Sequence, residues 1–173
     1  MVTGQRVEIR AGRVVLREVL PGEAGRLVDG GPRDSSWADG YPLVGTIPPA
    51  RAIIAQDHDG QWRPGFGMYQ IVLPASGDHG QPDVVIGDVG FHTPPSVGSV
   101  EIGYGIVPAH RGHGYVTEAV NALTAWALAQ PGVTEVRAET DPDNVASQNV
   151  LVRTGFTLVD VTAEARRYRR TAD

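Results

Sequence analysis

Apolar and polar positions alternate with a period of two in the first stretches of the chain, RVEIR and RVVLREV, the pattern of a half-buried β-hairpin turning at Ala11-Gly12. PGEAGRLVDGG then reads as a short helix stopped by its glycines, and SSWADGYPLVGTIPP holds too many turn residues for regular structure. A short helical stretch, ARAIIAQDH, follows. GFGMYQIVLP and DVVIGDVGF are apolar enough for two strands, with ASGDHGQP as the loop between them. HTPPSVGS turns the chain into a further strand, SVEIGYGIV. From Gly112 the period changes: Val116, Ala119, Val120, Leu123 and Ala127 recur at helical spacing, a buried stripe that runs to Gln130 and stops at Pro131-Gly132. VTEVRAET is a strand, DPDN a turn, and Asn144 to about Arg153 a short helix with Asn144 as N-cap and Gly155 as C-terminal cap. FTLVDV is a last strand, and ARRYRR fits a strand or a fraying helix.

The alternation of elements, with neither repeats nor linker-like composition, predicts one α+β domain over residues 1–173. A net charge of −5 offers no basic surplus for nucleic acid, and an acidic surface suits cationic, amine-bearing molecules. The absence of cysteine excludes disulfides and thiol catalysis. Of the five histidines (His58, His79, His92, His110 and His113), only His110 and His113 lie close together, so no metal is expected. No apolar run approaches a membrane span, and the opening MVTGQRVEIR has no signal-like core, which predicts a soluble, cytoplasmic protein with no membrane partner.

The candidate chemistry centres on PAHRGHGYVTEAV, residues 108–120. A helix's first turn carries N–H groups with partial positive charge and no intrahelical partner. Gly112 and Gly114 clear side chains away from those amides, and Arg111 adds a full charge, so a phosphate or pyrophosphate would fit. Glycines placed only for chain geometry would leave the same pattern. The strand before the turn puts Glu101, Gly103, Gly105 and Val107 on one face and Ile102, Tyr104 and Ile106 on the other. Two glycines beside an acid predict an open trough, with a bulge or a close ligand approach around Gly103–Gly105. Downstream, Asn144 and Ser147 share one face of the short helix.

EIGYGIVPAHRGHGYVTEAV followed by TEVRAETDPDNVASQNVLVRTGF resembles the GNAT superfamily of acyl-coenzyme A-dependent N-acetyltransferases, and within it the ribosomal-protein N-terminal acetyltransferases of the Rim type. The likeness covers residues 84–160, a cofactor-binding core; residues 1–83, the acceptor-side half, fit in element order only. The resemblance implies a mixed, twisted sheet flanked by helices and splayed between the strands at 100–107 and 133–140, with acetyl-coenzyme A as co-substrate in the gap. It implies that amides across Arg111, Gly112, His113, Gly114, Tyr115 and Val116 hold the pyrophosphate. Ile106 and Val107 would pair with the pantetheine arm, Asn144 would bind that arm, and Ser147 would sit near the sulfur. Glu101 falls where the family often places its base.

The resemblance implies direct transfer of the acetyl group to a primary amine. A carboxylate takes the ammonium proton, directly or through water, and an N–H freed by the bulge steadies the oxyanion. Many members carry a tyrosine on the last helix to protonate the thiolate; this helix has none, which leaves Ser147, Tyr104 and Tyr115 as nearby hydroxyls. Tyr104 lies opposite Glu101, as core or cleft wall. Trp37 and Tyr41, next to Pro42 in the glycine-rich loop, either line an acceptor pocket or pack the loop down. Thr117 and Glu118 suit the helix dipole. The acceptor is a small-molecule or peptide amine, and unpaired sheet edges leave a homodimer open. Two other readings remain: a coenzyme A-binding module without catalysis, and a dinucleotide-binding oxidoreductase with Glu139 on the ribose.

Overall fold

The computed structural model describes residues 6–30, 33–75, 82–92 and 94–172. Eight strands form one sheet in the order β1-β2-β3-β4-β5-β6-β8-β7. They are β1 (Glu8–Ala11), β2 (Val14–Glu18), β3 (Met68–Leu73), β4 (Val84–Phe91), β5 (Ser99–Ile106), β6 (Glu135–Thr140), β7 (Thr157–Val161) and β8 (Arg166–Thr171). Among the described residues four α-helices accompany them: α1 (Pro21–Val28), α2 (Ile47–His58), α3 (Tyr115–Leu128) and α4 (Val145–Arg153). Strands β1 to β5 form an antiparallel meander, and only β5 and β6 run parallel. A sheet so largely antiparallel is not the doubly wound parallel sheet of a dinucleotide-binding oxidoreductase, and that reading ends here.

The hairpin turns at Gly12 (φ +61°), where a side chain would collide with the Glu118 carboxylate of α3. Helix α2 begins three residues earlier than the apolar spacing suggests, because Pro48 and Pro49 occupy its first turn, where amide protons have no helical partner anyway. The loop expected at 75–82 lies mostly outside the described residues. ARRYRR is a strand: β8 fits between β6 and β7, with Tyr168 turned into the core and Arg167 joined to Glu139 and Asp160. Helix α4 ends as its sequence predicts, with Gly155 at φ +82° and the Phe156 amide donating to the Leu151 carbonyl.

The two faces of the sheet have different covers. Phe91 and Ile102 are directly paired, and Trp126 of α3 stacks near Phe91, so α3 lies on the Ile102–Tyr104 face. Its buried residues Ala119, Val120, Leu123 and Ala127 join Leu16, Ile71, Ile86, Val136 and Leu151 in the main core. On the other face, the space above Gly105 is taken by Leu43, just before a 3₁₀ turn at Val44–Thr46 that leads into α2. No helix among the described residues is long and apolar enough to cross a membrane.

Candidate active site

Strands β5 and β6 are paired only at Ser99–Glu135, Val100–Val136 and Glu101–Arg137, after which they part. β6 keeps its outer partner β8 along its whole length, so the sheet stays intact on that side of the opening. Along β5, the amide of Val107 donates to Ile86 and the carbonyl of Glu101 accepts from His92, which fixes the alternation of an antiparallel ladder. The odd-numbered residues therefore bond to β4, and Tyr104 and Ile106 turn their amides toward the gap. The expected bulge at Gly103–Gly105 is absent: β5 keeps a continuous register against β4 from Ile102 to Ile106. Free N–H groups come from the splay itself. Val107 is corrected too, since it is fully buried and both its backbone groups are used, the N–H by Ile86 and the carbonyl by His110.

The gap widens into a cleft of about 870 Å³. At one end stands the glycine turn. Gly112 and Gly114 sit at φ +77° and +83°, and Gly114 is the residue on which α3 starts. Among the described residues, no backbone N–H from Gly112 to Thr117 has an acceptor; the first paired amide is that of Glu118, on Gly114. This row of donors at a helix start is an anion cradle in its chemistry. Arg13 in the β1–β2 hairpin clamps it, donating to the His113 carbonyl at 2.6 Å and to Glu118 at 2.8 Å while lying over the Tyr115 ring. The His113 ring stacks on Tyr115, Val116 is half-buried, and both glycines are exposed. Exposed Arg111 lines the cleft where its wall meets the cradle, close to the Ile106 carbonyl.

Across the gap, Asn144 caps α4 by accepting the Ser147 amide at 3.1 Å, and both side chains line the cleft. The Tyr104 hydroxyl donates to the Ser147 carbonyl at 3.1 Å and ties β5 to α4. Burial pushes this phenol up to about 12, so it keeps its proton near neutrality. Ser147 and Tyr104 thus meet on one face of the sheet, with Glu101 on the other.

The Glu101 side of the cleft holds groups that the sequence reading passed over. His92 follows β4 and lies directly across from Glu101, with its Nδ1 2.9 Å from the Glu101 carboxylate. Its ring covers Gly103, where any Cβ would collide with Nε2. Further along the same face is Asp88, opposite Gly105, buried and accepting a hydrogen bond from Thr46. Burial raises its carboxyl to about 6, against a weaker opposing effect of the Thr46 hydroxyl. A lone acid inside the apolar run VVIGDVGF was a readable signal; the His92–Glu101 pairing depends on strand register and was not. Pro48, Pro49 and Ala52 of α2 form an apolar wall. Acids also line the β6 side, where Glu139 is held by Arg167 and Asp141 is exposed.

Trp37 and Tyr41 do not join this cleft. They pack edge to face at 5.6 Å, with Tyr41 only 3% exposed and the neighbouring Ala38 amide bound to Val85. The aromatic pair packs its loop down, and Leu43 with the start of α2 takes the place beside the cleft. No group of three His, Asp or Glu side chains suited to a metal occurs among the described residues.

A family model described as an acetyltransferase (GNAT) domain matches residues 13–157. The chain is 37% identical over 81 residues to the uncharacterized N-acetyltransferase YjdG of Bacillus subtilis (strain 168), covering 46% of this chain and 48% of YjdG. It spans about half the length, or less, of the curated relatives it matches. Among solved structures, an acetyltransferase from Agrobacterium tumefaciens str. C58 superposes with a TM-score of 0.63 at 24% identity, covering 99% of this chain and 98% of that one. RimL, a ribosomal L7/L12 alpha-N-protein acetyltransferase, gives a TM-score of 0.64 at 17% identity over 99% and 98% of the two chains. At these identities the likeness is one of fold.

Proposed function

Because the chain belongs to the GNAT acetyltransferase family, we propose that it moves an acetyl group from acetyl-coenzyme A to a primary amine by direct attack in a ternary complex. The observation that carries the reading is the row of amides from Gly112 to Thr117, unpartnered among the described residues and standing at the end of a sheet gap that closes at Glu101. Those amides and Arg111 bind the pyrophosphate, and the gap-facing backbone of Ile106 holds the pantetheine arm. Asn144 and Ser147 hold its far end from α4. The Tyr104 amide, preorganised by the splay, steadies the developing oxyanion. Glu101, on the acceptor's side of the cleft, supports removal of the acceptor's proton. Ser147, beside the proton-bearing Tyr104 phenol, hydrogen-bonds the departing sulfur, whose thiol has a reference pKa of ~8.5 and needs little help to leave.

The acceptor enters on the face of Glu101, Asp88 and α2. Acids on both sides of that cleft favour a cationic amine, from a small molecule or a peptide. The absence of a tyrosine on α4 keeps one other reading in view, a coenzyme A-binding module without catalysis.

A thermal-shift titration with acetyl-coenzyme A, coenzyme A and NADPH tests the cradle. A ligand at a hundred times its Kd adds ~2.7 kcal/mol, a rise of roughly 5–10 °C for a chain of this size. Both coenzyme A species should raise the midpoint and NADPH should not; the reverse overturns the assignment. Thiol release with a panel of amines then separates the transferase from the binding module.

A further inference from the structure

We propose that the group receiving the acceptor's proton is the His92 imidazole, held in place by Glu101. This rests on the transferase reading above and assigns its proton-transfer step to a pair of side chains.

The geometry is specific. His92 and Glu101 face each other across the β4–β5 ladder, with the His92 amide on the Glu101 carbonyl and Nδ1 2.9 Å from Oε1. A carboxylate only accepts, so Nδ1 carries the hydrogen and the lone pair is left on Nε2. That nitrogen lies over Gly103, on the cleft side of the strand, and has no hydrogen-bond partner among the described residues. Gly103 is bare because the ring occupies the space a Cβ would need. Both side chains are about half exposed, at 53% and 46%, and both line the cleft. An incoming amine can therefore reach Nε2 from the cleft.

The other titratable and charged groups around the cleft are paired or stand apart from it; Arg137, across from Glu101 on β6, is joined to Glu135. Asp88 is engaged by Thr46 and lies opposite Gly105, four residues or ~13 Å along β5 from Glu101. Glu139 is paired with Arg167, Asp141 is on the far side of the splay, and Arg111 belongs to the cradle end. An imidazole titrates closest to neutrality of all side chains, so it both accepts a proton and returns it to water. The carboxylate orients the ring and stabilises the imidazolium.

The step balances. One N–H bond of the ammonium breaks, and its proton passes to Nε2. The freed nitrogen lone pair attacks the thioester carbonyl, the C–N bond forms and the C–S bond breaks with its electrons on sulfur. The second ammonium proton leaves nitrogen as the amide forms and is taken up by the thiolate. Amide and free thiol result, and His92 passes the first proton to solvent.

The test uses the full chain with acetyl-coenzyme A and an amine turned over in the panel, following kcat/KM from pH 5.5 to 9. His92→Gln should lower kcat/KM ~100-fold and remove the acidic limb, with the coenzyme A Kd unchanged by thermal shift. Glu101→Gln should keep that limb and lower kcat/KM less than His92→Gln does, because the imidazole remains and only its orienting partner is lost. Gly103→Ala, which displaces the ring and leaves both functional groups present, should lower the rate with a folded, coenzyme A-binding protein. If His92→Gln stays within twofold of wild type, or the limb survives it and disappears in Glu101→Gln, the assignment is wrong while the transferase reading stands. No turnover by the wild type with any amine overturns both.

Discussion

Asp88→Asn should make the protein more stable near neutrality and leave its stability in acid unchanged relative to wild type. The wild-type carboxyl is 7% exposed, and burial raises it from its ordinary 3.8 to about 6. The folded state thus holds this proton more tightly than the unfolded chain does. Whatever stability the protonated group contributes is complete below pH 3.8 and lost as pH rises through 6. A pKa difference of that size amounts to ~3 kcal/mol against the ionised folded protein. Asparagine is neutral throughout, matches the shape and still accepts the Thr46 hydroxyl proton. The difference in melting midpoint, variant minus wild type, should be near zero at pH 4, climb between pH 4 and 6, and level off above 7 at ~6–12 °C. Differential scanning fluorimetry of both proteins in matched buffers measures it, and the subtraction removes acid effects common to both. A difference that is flat with pH, or one that falls toward neutrality, refutes the burial argument.

Two further perturbations address the cradle. Arg111→Glu places an anion at the cleft end of the amide row and should raise the coenzyme A Kd about tenfold, ~1.4 kcal/mol; calorimetry giving an unchanged Kd removes Arg111 from the site. Gly114→Ala forces a side chain to φ +83° beside the Arg13 guanidinium, at ~1–2 kcal/mol. The midpoint should fall by ~2–8 °C and coenzyme A binding should weaken; an unchanged midpoint shows that the turn tolerates a Cβ.

The glycine-turn side of the cleft was legible because its signals are local. Amides at a helix start, glycines at positive φ and an N-cap followed three residues later by Ser147 all lie within one turn of chain. The Glu101 side was not, because its contacts join residues distant in sequence. Gly103 and Gly105 advertised an absence of side chains, but His92 and Leu43 fill the space, and these come from a neighbouring strand end and a 3₁₀ turn. The inferred bulge failed for the same reason: a bulge and an inserted neighbour both call for glycine, and sequence alone does not separate them. Trp37 and Tyr41 were noticed for their size, but large aromatic surface is as readily spent on packing a loop, and here it is. The start of α2 was missed by treating Pro48 and Pro49 as breakers, although the first turn of a helix tolerates them. ARRYRR had no clear period because its arginines project from both surfaces of a strand one place in from the sheet edge, where ion pairs replace burial.

The position of β8 sets an order of assembly. Strands β1 to β5 each lie next to their sequence neighbour, so the meander can form progressively as the chain emerges from the ribosome. β6 and β7 cannot complete their half in that way, because the strand that joins them comes last, at Arg166–Thr171. At ~5–20 residues per second, several seconds separate the translation of Ile106 from that of Thr171. During that interval one bank of the cleft exists and the other has no support along its outer edge. The opening between β5 and β6 is therefore bounded on both sides only once the latest-made of the eight strands is in place.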